Sequence, residues 1–437
     1  MLGKMGCGSI KSTVTNKSDN LIEDIDTNIG AINLMEISDD RSMIVIAGET
    51  GVALVLSTFS TPTEIIGKLV GHEAGITCST IDNLYIYTGS VDQTVRKWSI
   101  ETMDCLFIFI GHSSKINRIM IKSNFLFTTS YDKTAKVWIS NVVITPYDDF
   151  DDDQDEDSID LVNDNKPKLC NVDRLTKEQL TRLSPCFQTY KGHTKSVYPI
   201  IFLPTDSDFD YTGRILETDL VVTGSVDCTI RIWSFKYGDC LKLLTDHYAP
   251  IFSLLVDPLN SKQFISASGD GKLISWDAVT GESVKVMKDH SGPVISCTTY
   301  NRMLFSGSND RTVRAWVIEF GECVRVFHGN SCGVSLVQYY NGLVCVGLGD
   351  GIANIFDSKS GTLRKSLHGH QESITGLQVA ANRIFTCDLL GKLCVWDISD
   401  IKEETVFGKR IEEDENSDDD CEAVRRAIDV VDKYVRN

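Results

Sequence analysis

Proline is scarce, 9 in 437 residues, while glycine stands at 32. That balance argues against extended disorder and against a collagen-like chain. No run approaches 18 consecutive apolar residues, so no transmembrane helix is expected. Residues 1–20 are polar and lack the apolar stretch of a secretory signal. The 14 cysteines include no C-x-x-C pair, which removes the usual structural-zinc spacing. In a long chain without an export signal they read as reduced thiols of an intracellular protein, most of them small buried hydrophobes. A cytoplasmic location is expected, with the nucleus left open.

Basic residues are missing from two stretches. Residues 148–164 hold ten acids and residues 411–422 hold eight, and neither contains a Lys or Arg. The net charge of −18 is the sum of these two segments, so the rest of the chain is neutral. A neutral body with acidic appendages is a poor nucleic-acid binder, because phosphate contacts need clustered cations. Acidic runs of this kind read as solvated segments. Apolar residues make up 42% and charged residues 24%, an ordinary globular composition with ample core material for a chain of about three usual domain lengths.

What the sequence does hold is a repeat. All six tryptophans share one frame: Trp98, Trp138, Trp233, Trp276, Trp316 and Trp396. Five follow an aspartate by six residues (Asp92, Asp132, Asp227, Asp270 and Asp310), and the sixth has Leu390 at that position. A Gly-His or Asp-His precedes each unit, at His72, His112, His193, His247, His290 and His370. Two degenerate copies complete the set. One has Asp350 and Phe356 with Asn330 for the histidine and Val346 for the hydroxyl; the other spans 44–57, with Thr50 and Leu56 in register. From Trp276 onward the step is 40 residues each time. Within a unit, NLYIYTGSVDQTVRKWSI reads as an apolar strand, a turn and an alternating strand. Four short strands per ~40 residues make the blade of a β-propeller.

The Gly-His, Ser/Thr-Gly-Ser-x-Asp and Trp-Asp pattern resembles the WD40-repeat family over roughly residues 25–398. The resemblance implies an all-β propeller of eight blades with four antiparallel strands each, or seven if the first unit stands outside the ring. It also implies closure by an N-terminal strand near residues 21–25 as the outer strand of the last blade. The expected organisation is a flexible segment 1–20, a propeller 21–398 and a tail 399–437. An acidic insertion at 148–183 falls between blades three and four and emerges from the bottom of blade three. The tail combines an acidic linker with a short amphipathic helix that places Val424, Ile428, Val431 and Val435 on one face. Residues 173–183 read as a further short helix with Asp173 as N-cap.

A His, Asp and Ser/Thr set invites a catalytic reading, but a triad needs one nucleophile in an open cleft. Here the set recurs five times: His72, Thr88, Asp92, Trp98; His112, Thr128, Asp132, Trp138; His193, Thr223, Asp227, Trp233; His247, Ser266, Asp270, Trp276; His290, Ser306, Asp310, Trp316. The resemblance implies a buried structural tetrad in which Asp accepts from His, His meets the hydroxyl and the hydroxyl meets the indole N–H. The seventh unit is expected to replace its network by packing. The eighth keeps His370, Thr386 and Trp396 but loses the aspartate, and the first keeps nothing. These blades are therefore expected to be the softest part of the ring. No catalytic residue, metal site or cofactor is expected.

Loop placement follows from strand alternation: the Gly-Ser-x-Asp turns and the loops linking blades share the top. There Val91, Tyr131 and Val226 on consecutive blades form a candidate peptide-binding arc, with Gly269, Asn309, Gly349 and Leu389 at matching positions. Lys115 and Lys195 are the bases identified near this rim; phosphopeptide readers of the fold carry several arginines there. Asp149, Asp151 and Asp153 alternate like an EF-hand loop but lack the glycine at its sixth position, so no calcium site is expected. Gly6 and Cys7 would suit dual acylation only with initiation at Met5, and the Ser/Thr position is then Ile10, so membrane anchoring is not expected. Ser417 before Asp418–Asp420 suits an acidophilic kinase. The composite reading is a non-enzymatic scaffold or adaptor for proteins or peptides, with no small-molecule substrate. The alternative is a ubiquitin-ligase substrate receptor, although the chain lacks an F-box-like segment before the ring and any Trp-Asp-x-Arg.

Overall fold

The computed structural model describes residues 12–14, 20–140, 184–204 and 219–401. The acidic runs, the 173–183 segment, Met5–Cys7, Ser417 and the stretch from Val424 to Val435 lie outside the described residues. Those that are described contain strands and turns and no helix.

Eight antiparallel sheets form a closed ring. Blade one comprises Ile32–Ile37, Met43–Gly48, Val52–Ser57 and Ile65–Val70, from the inner to the outer strand. The inner strands of the other seven begin at Ile76, Ile116, Val197, Ile251, Val294, Val334 and Ile374. Each first residue is an apolar β-branched side chain, fully buried between neighbouring blades. The second strand of each blade is buried almost throughout, because sheets pack against both of its faces. The tryptophan on the third strand fills the space near the rim and is at most 2% exposed in all six blades that carry one.

Blade eight receives its fourth strand from the other end of the chain, as the family resemblance implied. Leu21–Asp26 pairs antiparallel with Lys392–Asp397, from Leu21 opposite Trp396 to Asp26 opposite Lys392. Ser12–Val14 adds a fifth strand outside it. The unit at 44–57 lies inside the ring as blade one, so the count is eight rather than seven. Cys186–Lys191 pairs with Thr134–Ile139 as the outer strand of blade three. The segment 141–183 therefore leaves from within that blade, between its third and fourth strands, and not between blades three and four. Residues 205–218 join the first two strands of blade four on the same, bottom side.

The closure is cross-linked by polar groups from residues far apart in sequence. Both carboxylate oxygens of Glu23 lie 2.9 Å from the Thr63 N–H, and Arg383 donates to Ser60 O at 2.8 Å. Arg41 donates to Val379 O at 3.1 Å and lies 5.0 Å from the Tyr340 ring centroid. The expectation of softness rested on missing tetrads; these bonds supply the junction with ties that no single unit reveals.

Candidate interaction face

The histidine tetrads account for most of the chemistry-bearing residues of the repeat. In blades two to six, His Nδ1 lies 2.7–3.0 Å from the turn aspartate and Nε2 2.8–2.9 Å from the strand hydroxyl. The indole Nε1 donates to that same hydroxyl at 2.8–2.9 Å. One protonation pattern satisfies every atom. The indole N–H donates to the hydroxyl, the hydroxyl to Nε2, and Nδ1–H to an ionised aspartate. A neutral imidazole fits its surroundings, since burial lowers the pKa of His112, His247 and His290 against the raising influence of their aspartates. Burial alone would raise the aspartates. Bonds from histidine, from backbone N–H groups and, except at Asp270, from a threonine hydroxyl outweigh it, so Asp92, Asp132, Asp227 and Asp270 titrate low, and Asp310, held first by Thr312 and then by His290, is lowered to about 2. Each hydroxyl is fully buried and already engaged by two partners, so none of these five is presented to solvent as a nucleophile.

Blade eight departs from the sequence reading. Its histidine does not lose its carboxylate: His370 Nδ1 meets Asp388 Oδ2 at 2.8 Å, two residues before Leu390. Asp388 occupies the place of Ser90, Ser130, Ser225, Ser268 and Ser308 in the other blades, where the serine already points at the linking loop. A longer acidic side chain from that place reaches the histidine. The rest of the network, Nε2 to Thr386 at 2.7 Å and Trp396 to Thr386 at 2.8 Å, is intact. Blade seven packs Val346 and Phe356 as expected, but it also carries a polar chain. Ser366 donates to Asn354 at 2.7 Å, Asn354 to Asn330 at 2.8 Å, and Asn330 to Arg311 O at 3.0 Å.

With the tetrads turned inward, the groups that face solvent on the top come from the turns and linking loops. Val91 is 45% and Tyr131 55% exposed, while Val226 is half-buried. Two residues missed in the sequence extend the apolar surface: Tyr248, 79% exposed, and Phe252, whose ring lies beneath the Gly269 turn. Tyr248 directly follows His247, and that adjacency was the available signal. Lys115 and Lys195 are joined by Lys133, Lys272 and Arg311 in the top turns, so the base count from sequence was too low. Lys115 Nζ lies 5.4 Å from the Tyr131 ring centroid and Lys272 Nζ 4.8 Å from that of Tyr248.

Comparison with known proteins bears on this geometry directly. The family described as WD domain, G-beta repeat matches residues 63–99, 103–138, 184–234 and 281–316. Those segments match WD40 repeats, which supports the WD40 propeller family. They cover parts of blades one to six, and the same strand frame continues through the unmatched blades. The WD repeat-containing protein pop2 of Schizosaccharomyces pombe is 30% identical over 201 residues, which is 44% of this chain and 24% of that protein. Pre-mRNA-processing factor 19 homolog 2 of Arabidopsis thaliana is 31% identical over 125 residues, 24% of this chain and 21% of that protein. The chain thus spans less than a quarter of the length of these relatives. Among solved structures, Saccharomyces cerevisiae Sqt1 superposes with a TM-score of 0.69 at 13% identity, covering 87% of this chain and 99% of that one. The computationally designed Ika8 protein gives 0.66 at 21% identity, with 85% and 98% covered. Both likenesses concern the fold.

Proposed function

We propose that this WD40-repeat protein is a non-enzymatic intracellular scaffold that binds other proteins or peptides on its top face, through an arc that includes Val91, Tyr131 and Val226. Propellers of WD40 repeats generally bind proteins or peptides. The observation that carries the reading is the division of labour among the repeated residues. Every complete tetrad is consumed inside its blade, while the neighbouring turns hold exposed apolar and aromatic side chains. Cytoplasmic residence and the absence of nucleic-acid, membrane and small-molecule partners belong to the same proposal. So does a closer likeness to WD repeat-containing protein 86, carried by HSSKINRIMIKSNFLFTTSYDKTAKVW and GECVRVF.

Affinity purification with mass spectrometry, comparing wild type with the folded triple variant Val91→Glu/Tyr131→Glu/Val226→Glu, tests the reading. Specific partners should vanish with the triple change; their persistence would move the contact to another face. A ubiquitin-ligase role is the narrower alternative. It has one support, a 41-residue stretch 44% identical to the probable E3 ubiquitin ligase complex SCF subunit scon-2 of Neurospora crassa, 6% of that protein. Co-purification of a ligase subunit would favour it, and its absence under mild conditions would remove it.

A further inference from the structure

The second residue of each inner strand sits at the top of the central channel. In five blades it is polar and bonds the next blade around the ring. Asn33 donates to Ile76 O at 3.3 Å, Thr77 to Ile116 O at 2.5 Å and Asn117 to Val197 O at 2.7 Å. Ser335 donates to Ile374 O at 2.9 Å, and Thr375 to Ile32 O at 2.6 Å. Three consecutive blades break this stitch. Blades four, five and six carry Tyr198, Phe252 and Ile295 there, the first and third half-buried and Phe252 38% exposed. An apolar arc thus replaces polar links along one side of the channel mouth.

The cations of the top face fall on the same side. Lys115 and Lys133 belong to blade three, Lys195 to blade four, Lys272 to blade five, and Lys288 and Arg311 to blade six. The corresponding turns and loops of blades seven, eight, one and two carry Asp350, Glu372, Glu49 and Glu73; their one base is Lys392, at the place of Lys272, and its ammonium is held by Asp24 at 2.9 Å and by Gly369 O at 2.7 Å. The acids of the cationic sector are largely engaged. Asp289 lies 3.4 Å from Arg314, and the tetrad carboxylates of Asp132, Asp227, Asp270 and Asp310 are 6–8% exposed with their donors in place; Asp246 is exposed. Two of the lysines stand over the exposed rings of Tyr131 and Tyr248, which fixes ammonium groups beside aromatic surface.

We infer that blades three to six bind an acidic peptide segment of a partner protein. One large apolar side chain of the segment enters the channel mouth among Tyr198, Phe252 and Ile295, and flanking carboxylates meet Lys115, Lys133, Lys195, Lys272 and Arg311. This rests on the top-face reading above and specifies the partner's chemistry. The cations are mostly lysines, point charges that suit scattered carboxylates better than the bidentate geometry of an arginine cluster. An apolar anchor supplies the buried contact that rim charges alone do not.

Selection of a random peptide library displayed on phage against the immobilised full chain tests this. Enriched peptides should combine Asp and Glu with a Phe, Trp or Leu. Two sets of substitutions should each weaken the best peptide by about tenfold or more. The first is Lys133→Gly with Arg311→Gly; both residues have positive φ, 72° and 69°, so glycine there preserves the turn. The second is Tyr198→Thr with Phe252→Thr, which introduces the hydroxyl that neighbouring blades use at this place. Peptides without carboxylates that are lost only on Val91→Glu would overturn this inference and leave the top-face reading standing. Acidic peptides indifferent to the threonine pair would equally overturn it, by removing the anchor. Peptides indifferent to every top substitution would sink both.

Discussion

His370 Nδ1 and Asp388 Oδ2 lie 2.8 Å apart, a pair formed two residues away from the position used in the other blades. Asp388 also accepts from the Leu390 and Lys392 N–H groups at 2.9 and 3.0 Å, so it caps the turn as Asp92 caps its own. Asp388→Ala strands a buried imidazole N–H and should destabilise the protein by about 1–3 kcal/mol in chemical denaturation. Leu390→Ala removes an exposed side chain and should stay within about 0.5 kcal/mol. Equal effects would show that the carboxylate contributes nothing to blade eight.

The hydroxyl at the centre of each tetrad serves two partners, and its removal should be felt accordingly. Thr128→Val keeps the shape but leaves the His112 ring nitrogen and the Trp138 indole N–H without their oxygen. A loss of about 2–4 kcal/mol is expected in urea unfolding. Blade seven makes the reciprocal case. Val346→Thr should also destabilise, by about 1–3 kcal/mol, because it buries a hydroxyl in a site built around Phe356.

Acid should weaken the ring in two stages. His112, His247 and His290 have folded pKa values below their ordinary 6.5, because burial penalises the imidazolium. As pH falls below 6.5 the unfolded chain takes up these protons first, and stability declines. The tetrad aspartates follow. Their folded pKa values lie below 3.8, about 2 for Asp310, so their contribution is present above 3.8 and is lost as pH falls through the folded values. Thermal midpoints of a Glu36→Gln variant, which lacks a buried carboxyl that titrates in the opposite sense, should be level near neutrality, fall below about 6.5 and fall more steeply below about 4. A midpoint that rises on acidification would contradict the neutral-imidazole network.

Glu36 should show the opposite slope. It sits on the inner strand of blade one, and burial raises its pKa to about 7 despite the lowering influence of Arg118; Asp39 adds to the rise. Its contribution is fully favourable below the ordinary 4.5 and is lost as pH rises through 7. Glu36→Gln should therefore stabilise the protein at pH 8 relative to wild type and leave it unchanged near pH 4. The two melting curves should coincide near pH 4 and separate as pH rises through about 7.

Closure depends on a strand that joins the sheet of blade eight, at the far end of the chain, and also bonds blade one through Glu23. Removal of residues 1–11 should leave the thermal midpoint unchanged. Removal of residues 1–26 takes away the partner of Lys392–Asp397 and the Glu23 contact to Thr63, and it uncovers a strand edge. Loss of the wild-type elution peak in size-exclusion chromatography is expected for the longer deletion only.

The sequence by itself determined the repeat unit and the frame of the five complete tetrads, while the choice of eight blades over seven came from the ring itself. The unit and the frame are set by separations within one ~40-residue stretch, where strand alternation and turn chemistry act locally. The distant tryptophans and histidines share one frame, so reading a single blade read most of them. Tertiary structure decided what happens between units. Asp388 was legible as a residue but not as a histidine partner, because its role depends on where the linking loop of its own blade passes. Asn33, Thr77 and Thr375 are unremarkable in sequence, yet each bonds the following blade, Thr375 to a strand that begins the ring. The apolar arc of Tyr198, Phe252 and Ile295 exists only because closure brings the inner strands side by side around one channel. Separations within a unit can be counted along the chain; contacts between units arise from packing, and it is packing that places the cations of blades three to six around the same opening.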